Sequence, residues 1–141
     1  VLRDGSAIAV MRRWIGAQGG DPSFIDDGFA ESSRRIEVSA SADGWVGGVH
    51  ALAIGRLAMQ LGAGRETKED EIDHSAGIVF SVRVGDRVRR GDTLAVLHTN
   101  RGGDEQPWIA ALREAVVLQA EAVEPGSAIL EVMSAEAAVR G

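Results

Sequence analysis

The stretch Val84-Gly85-Asp86-Arg87-Val88-Arg89-Arg90-Gly91-Asp92-Thr93-Leu94 constrains the fold of this chain more than any other. Each Gly-Asp pair reads as a turn, because glycine permits a tight reversal of the chain. The aliphatic residues between the turns are left to fill a small barrel. Around this stretch, Gly77 to Thr99 is the most β-rich segment, with Ile78, Phe80, Val82 and Val84, then Val88, then Leu94, Val96 and Leu97. The two turns fold it back on itself.

The rest of the chain divides around this segment. Ser6 to Gln18 reads as a helix, with Ile8, Met11 and Ile15 at helical spacing and Gly19-Gly20 as a left-handed stop. Asp21-Pro22 has the form of an N-cap followed by proline at the first helical position, giving a short turn through Asp27. Residues 26–33 are polar and aperiodic and read as a connector or hinge. From Arg34, Ile36, Val38 and Ala40 alternate with polar residues up to an Asp43-Gly44 turn, with Trp45, Gly47 and Val49 as the returning strand. Ala51 to Leu61 reads as a buried helix, with Leu52, Ile54, Leu57, Ala58 and Leu61 apolar, Gly55 permitting close packing, and Gly62 or Gly64 as its end.

Thr67-Lys68-Glu69-Asp70 has the spacing of a capping box and predicts a short acidic helix from Lys68 to about Asp73. Residues 100–106 form a polar loop. Pro107 to about Glu121 reads as an amphipathic helix with Ile109, Leu112, Val116 and Ala120 on one face. Pro125-Gly126 breaks the chain, Ile129 to Val132 makes a last short strand, and the tail after Ser134 frays. The expected division is residues 1–33 as a helix and hinge belonging to an upstream part, 34–133 as one domain, and 134–141 as a tail.

A chain of 141 residues suits one ordinary domain with appendages. Its net charge of −6 argues against a nucleic-acid or anionic membrane surface, since both require a basic face. The absence of cysteine excludes disulfides, thiolate metal sites and a cysteine nucleophile, and fits the reducing cytoplasm. No apolar run approaches the ~20 residues needed to span a bilayer, and the first residues carry no targeting signal. Because a helix follows almost directly on Val1, the chain reads as cut from something longer.

Gly62-Ala63-Gly64-Arg65 has glycines suited to cradling a phosphate, but it closes a helix and lacks a third glycine, so it reads as a helix terminator. Glu66, Glu69, Asp70, Glu71 and Asp73 beside His74 lack the spacing of a calcium loop and read as a solvated face, with no metal site. His50, His74 and His98 show no paired spacing and no nucleophile motif, and read as surface or packing residues.

The Gly-Asp segment is written like the hammerhead turn of biotinyl and lipoyl carrier domains. A carrier needs a modifiable lysine on an exposed hairpin, whereas the single lysine, Lys68, lies in the acidic segment. An independent binding or carrier module is therefore the alternative reading. Several further segments, taken in order, resemble the pyrimidine-nucleoside phosphorylases, the family that includes thymidine phosphorylase. They are Ala17-Gln18-Gly19-Gly20-Asp21-Pro22, Asp43-Gly44-Trp45-Val46, Ala51-Leu52-Ala53-Ile54-Gly55, Leu61-Gly62-Ala63-Gly64-Arg65, Lys68-Glu69-Asp70 with Ile72-Asp73, and Gly77-Ile78. Trp45 stands where that family usually has tyrosine, and His50 where it often has aspartate.

The resemblance implies an α+β fold, an alpha/beta-hammerhead with a barrel-sandwich-hybrid-like β hairpin, preceded by a connector helix. It implies the C-terminal domain of a homodimeric transferase in which phosphate displaces the base from a pyrimidine nucleoside, without any cofactor. The catalytic and substrate-binding residues of that family lie upstream, so none is carried over, and the upstream catalytic domains become the expected partner. Arg65, Lys68, Glu69 and Asp70 are expected to form a loop at the interdomain seam that latches the closed state.

Overall fold

The computed structural model describes residues 3–65, 67–124 and 126. The first helix, α1 (Ser6–Ala17), ends as its sequence predicts. Gly19 has φ +78° and donates to Gly16 O at 3.0 Å, while Gly20 donates to Ile15 O at 3.0 Å. A second, short helix, α2 (Phe24–Asp27), begins later than the Asp-Pro pair suggests. Asp21 accepts from Ser23 N at 2.9 Å and from Ser23 Oγ at 3.0 Å, and Ser23 becomes the N-cap. Arg12 ties the two helices by a two-pronged ion pair to Asp26, and Phe24 stacks on Phe29 with ring centroids 4.8 Å apart.

Among the described residues, six strands form two antiparallel sheets of three. They are β1 (Arg34–Ser39), β2 (Gly44–Val49), β3 (Gly77–Phe80), β4 (Arg87–Val88), β5 (Thr93–Thr99) and β6 (Val116–Gln119). The first sheet has the order β1-β5-β3 and the second β4-β2-β6. The expected alternation holds in β1: Ile36 and Val38 are buried while Arg35 and Glu37 are exposed, and Ala40 continues the buried set beyond the strand.

The hairpin expected between β1 and β2 does not form. β1 pairs with β5, from Arg34 opposite Thr99 to Ser39 opposite Thr93, whereas β2 pairs with β4 and β6. The Gly-Asp turns decide the pairing. Gly85 N donates to Val46 O and Val46 N to Asp86 O, both at 2.8 Å. Gly91 N donates to Ala40 O at 2.9 Å and Ala40 N to Asp92 O at 2.8 Å.

Both glycines have positive φ, +95° and +96°, and both aspartates brace their turns from within. Asp86 Oδ2 accepts from Arg83 N at 2.7 Å and Asp92 Oδ2 from Arg89 N at 2.8 Å. Residues 40 and 46 are thereby committed to the turns, and Asp43 is drawn to Arg90 N at 2.7 Å instead of closing a local hairpin.

Two helices cover the sheets: α3 (Ala51–Ala58), prolonged by a π-type turn Met59–Ala63, and α4 (Gln106–Ala115). Leu57 and Leu61 of the first run and Leu112 of α4 join Val38, Val46, Leu94 and Leu97 in one core. Leu52, expected on the buried face of α3, is 70% exposed, and an added Cβ on Gly55 would meet no atom within 4 Å, so neither residue packs closely.

The helix expected to reach Glu121 stops at Ala115, where His50 N donates to Ala115 O at 2.9 Å. Val116 to Gln119 instead add a strand to the open edge of β2, a role that suits the β-branched Val116 and Val117. The expected strand Ile129 to Val132 and the tail 134–141 lie outside the described residues. The result is a small α+β domain of two antiparallel sheets.

Replacing Leu97 with alanine is expected to lower the unfolding free energy by about 2–5 kcal/mol in urea titration, as for other fully buried leucines. Gly91→Ala removes no contact, and no atom lies within 4 Å of the added Cβ, yet the left-handed turn should cost roughly 1–2 kcal/mol. A neutral Gly91→Ala variant would contradict the positive φ.

Candidate functional site

The loop between α3 and β3 carries every residue that the sequence singles out for a site. It is anchored first at the end of the π-type turn. Thr99 Oγ1, fully buried, donates to Leu61 O at 2.6 Å, Asp73 N donates to Gly62 O at 3.0 Å, and Arg101 Nη1 donates to Gln60 O at 2.9 Å. These bonds satisfy carbonyls that a helix end leaves without partners. Gly62 has φ +114°, and a Cβ on Gly64 would stand 2.7 Å from Met59 Cγ. The glycines of the Gly-Ala-Gly-Arg run thus act as a helix stop and a close approach.

Thr67 and Asp70 do meet, as a capping box requires, but no helix follows. Asp70 accepts from Thr67 N and from Thr67 Oγ1, both at 2.9 Å, and takes both donors into one turn. The expected acidic helix from Lys68 to Asp73 is absent because the segment has no apolar stripe to bury, and Asp73 N is already bound to Gly62 O. Asp70 is half-buried, whereas Arg65, Lys68 and Glu69 stand exposed on the same loop. The four residues share a segment; only Asp70 is fixed by the turn.

A second anchor was not read from the sequence. Asp73 Oδ1 accepts from Ser75 N at 2.9 Å and Ser75 Oγ at 2.7 Å, and its Oδ2 accepts from Asn100 Nδ2 at 2.8 Å. Asn100 Oδ1 in turn accepts from Ser33 N at 2.7 Å, so one amide links the loop, the end of β5 and the connector. The Ser75 hydroxyl, then its backbone N–H, then Asn100 hold the Asp73 carboxyl below the usual carboxylate range.

The legible signal was the Asp-x-Ser spacing, which recurs with the same local bonds at Asp4-Ser6 and Asp21-Ser23. Beside this anchor, Arg34 donates to Arg101 O at 2.8 Å and pairs with Glu105 at 3.2 Å. Its guanidinium lies 5.7 Å from the Trp108 ring centroid.

The histidines separate into two places. His50 is exposed at the start of α3. His74 and His98, far apart in sequence, line one cleft. Among the described residues no group of three acidic or histidine side chains is placed to hold a metal ion, and no helix is long and apolar enough to cross a membrane.

The architecture defines a compact α+β domain in which paired Gly-Asp turns hold two sheets together and a doubly anchored loop follows a glycine-stopped helix. The family model of the pyrimidine nucleoside phosphorylase C-terminal domain matches residues 45–119, and this chain belongs to that family. The chain is 42% identical over 102 residues to a pyrimidine-nucleoside phosphorylase of Geobacillus stearothermophilus, covering 71% of this chain and 24% of that protein. It is 40% identical over 126 residues to the one from Staphylococcus haemolyticus, covering 88% of this chain and 29% of the relative. With the Bacillus subtilis protein it shares 39% identity over 127 residues, 89% of this chain and 29% of the relative. The chain thus spans less than a third of the length of the curated relatives it matches.

The Asp73 anchor has a testable pH signature. A carboxyl whose folded pKa is depressed contributes stability above its unfolded pKa of about 3.9, and that contribution is lost as pH falls through the folded value. Wild type should therefore be more stable than Asp73→Asn near neutrality, with the gap in urea midpoint closing below about pH 4. A gap of constant size would show that the charge of Asp73 is not what holds the loop.

Proposed function

We propose that this chain is the C-terminal accessory part of a pyrimidine-nucleoside phosphorylase, acting in the cytoplasm. The whole enzyme converts a pyrimidine nucleoside and phosphate into the free base and a pentose 1-phosphate. The observation that carries the reading is the match to the C-terminal-domain family together with alignment to less than a third of each full-length relative. On this reading the upstream part of the enzyme, a homodimer, supplies the reacting groups, and the chain alone is inactive. The same reading takes the two sheets and the Gly-Asp segment as an alpha/beta-hammerhead with a barrel-sandwich-like hairpin. The reciprocal bonds between the turns and residues 40 and 46 support that description. The carrier alternative lacks its lysine, since residues 84–94 contain arginines but no lysine.

Within the whole enzyme the loop at Arg65, Lys68, Glu69 and Asp70 latches the closed state. The support is local. Asp70 braces the turn, the Leu61, Gly62 and Asp73 contacts fix both ends, and Arg65, Lys68 and Glu69 remain exposed for a partner surface. Closure accelerates phosphorolysis by excluding water and aligning phosphate with the anomeric carbon.

Phosphate-dependent release of thymine or uracil should be absent with this chain alone and appear when the upstream part is supplied. Turnover by the chain alone would overturn the accessory role. In the full-length enzyme, Arg65→Ala is expected to lower kcat on the order of tenfold, about 1.4 kcal/mol. Unchanged kcat and KM would remove the latch while leaving the family assignment intact.

A further inference from the structure

We infer that the cleft on the outer face of the first sheet binds a doubly charged tetrahedral oxyanion, free or carried as a phosphate ester, through Arg35, His98 and His74. The cleft follows from strand register. Arg35 of β1 and Gly77 of β3 both stand opposite His98 of β5, so the three residues share one row on one face. Their neighbours along each strand, Ile36, Leu97 and Ile78, belong to the core on the other face. Gly77 contributes no side chain to this row, and a Cβ there would meet nothing within 4 Å. The connector from Phe29 to Ser32 forms one wall and His74 to Ala76 the other, around a cleft of about 570 Å³. That volume suits a small-molecule ligand.

The donor chemistry is set by Ser32. This buried hydroxyl donates its one hydrogen to Arg34 O at 3.0 Å and lies 3.3 Å from His98 Nδ1. With its hydrogen directed to Arg34 O, Ser32 Oγ can accept from Nδ1 of His98. Nε2 is left without a partner among the described residues. Protonation turns that Nε2 into a second donor beside Arg35, which forms no ion pair with a described residue.

The groups facing this imidazole are Arg35 from β1, His74 from the loop and Glu31 from the connector. Arg35 and a protonated His74 attract an anion, and Glu31 opposes it. Phe29, 77% exposed, and Val79, 59% exposed, add an apolar margin against which the organic part of an ester can lie.

The test is a titration of this 141-residue chain with sulfate, followed by the histidine ring signals in NMR at matched ionic strength. Sulfate is the probe because its charge does not change between about pH 6 and 8, while histidine charge does. Saturable shifts at His98 and His74 are expected at about pH 6, with affinity falling at least tenfold by about pH 8. Arg35→Gln should weaken binding roughly tenfold, and Glu31→Gln should tighten it. Both side chains are exposed, so circular dichroism should show an unchanged fold.

Comparison of inorganic phosphate with a sugar phosphate separates the sources. A roughly tenfold preference for the ester assigns the apolar margin to its sugar, and equal affinity assigns the cleft to the free anion. Shifts that sodium chloride reproduces, or a His98 signal that does not respond, would overturn the site.

Discussion

The reciprocal backbone bonds that seat two Gly-Asp turns against Ala40 and Val46 set the arrangement of both sheets. The segment from β1 to β2 leaves the first sheet for the second at this point, and the segment from β4 to β5 makes the opposite passage. The Gly91-Asp92 turn clasps these two crossings together, while Gly85-Asp86, on the passage from β3 to β4, clasps β2, each turn giving one N–H and accepting another. Glycine is needed at both turns because φ is positive there, and aspartate closes each turn from its own side chain. The two three-stranded sheets thereby share one core containing Val38, Val46, Leu94 and Leu97.

The far end of the domain is held by polar side chains instead of strand pairing. Thr99, buried at the end of β5, grips the helix end at Leu61, and Asn100 next to it grips Asp73 and Ser33. Neighbouring residues at the end of β5 therefore position the π-type turn, the later part of the α3–β3 loop and the connector. The loop is thus anchored by hydrogen bonds at Leu61, Gly62 and Asp73, while Arg65, Lys68 and Glu69 between them stand exposed.

Much of this was legible in the residues. The helical spacing of Ile8, Met11 and Ile15, the alternation of Ile36, Val38 and Ala40, and the glycine stops at Gly19 and Gly62 all correspond to the structure. The failures come from tertiary competition. Asp43-Gly44 is a sound local hairpin signal, but Ala40 and Val46 bind the distant Gly-Asp turns more completely. Val116 falls at helical spacing with Ile109 and Leu112, and what makes it a strand is the open edge of β2. Thr67 and Asp70 form their bonds without nucleating a helix, because the acidic residues after them have no surface to cover. The Asp-x-Ser bonds were readable locally, whereas the row of Arg35, His98 and Gly77 exists only once β1 and β3 have paired with β5.

That last dependence has a consequence for biosynthesis. The central strand of the first sheet is the last of its three to be made, so β1 and β3 emerge from the ribosome with their edges bare. Neither gains a partner until Thr93 to Thr99 has been translated, and the second sheet waits longer still for β6. Contacts of such sequence separation slow folding and leave strand edges open to other nascent chains. The domain therefore assembles late and nearly all at once, and a polypeptide interrupted before Thr99 would carry two edge strands with nothing between them.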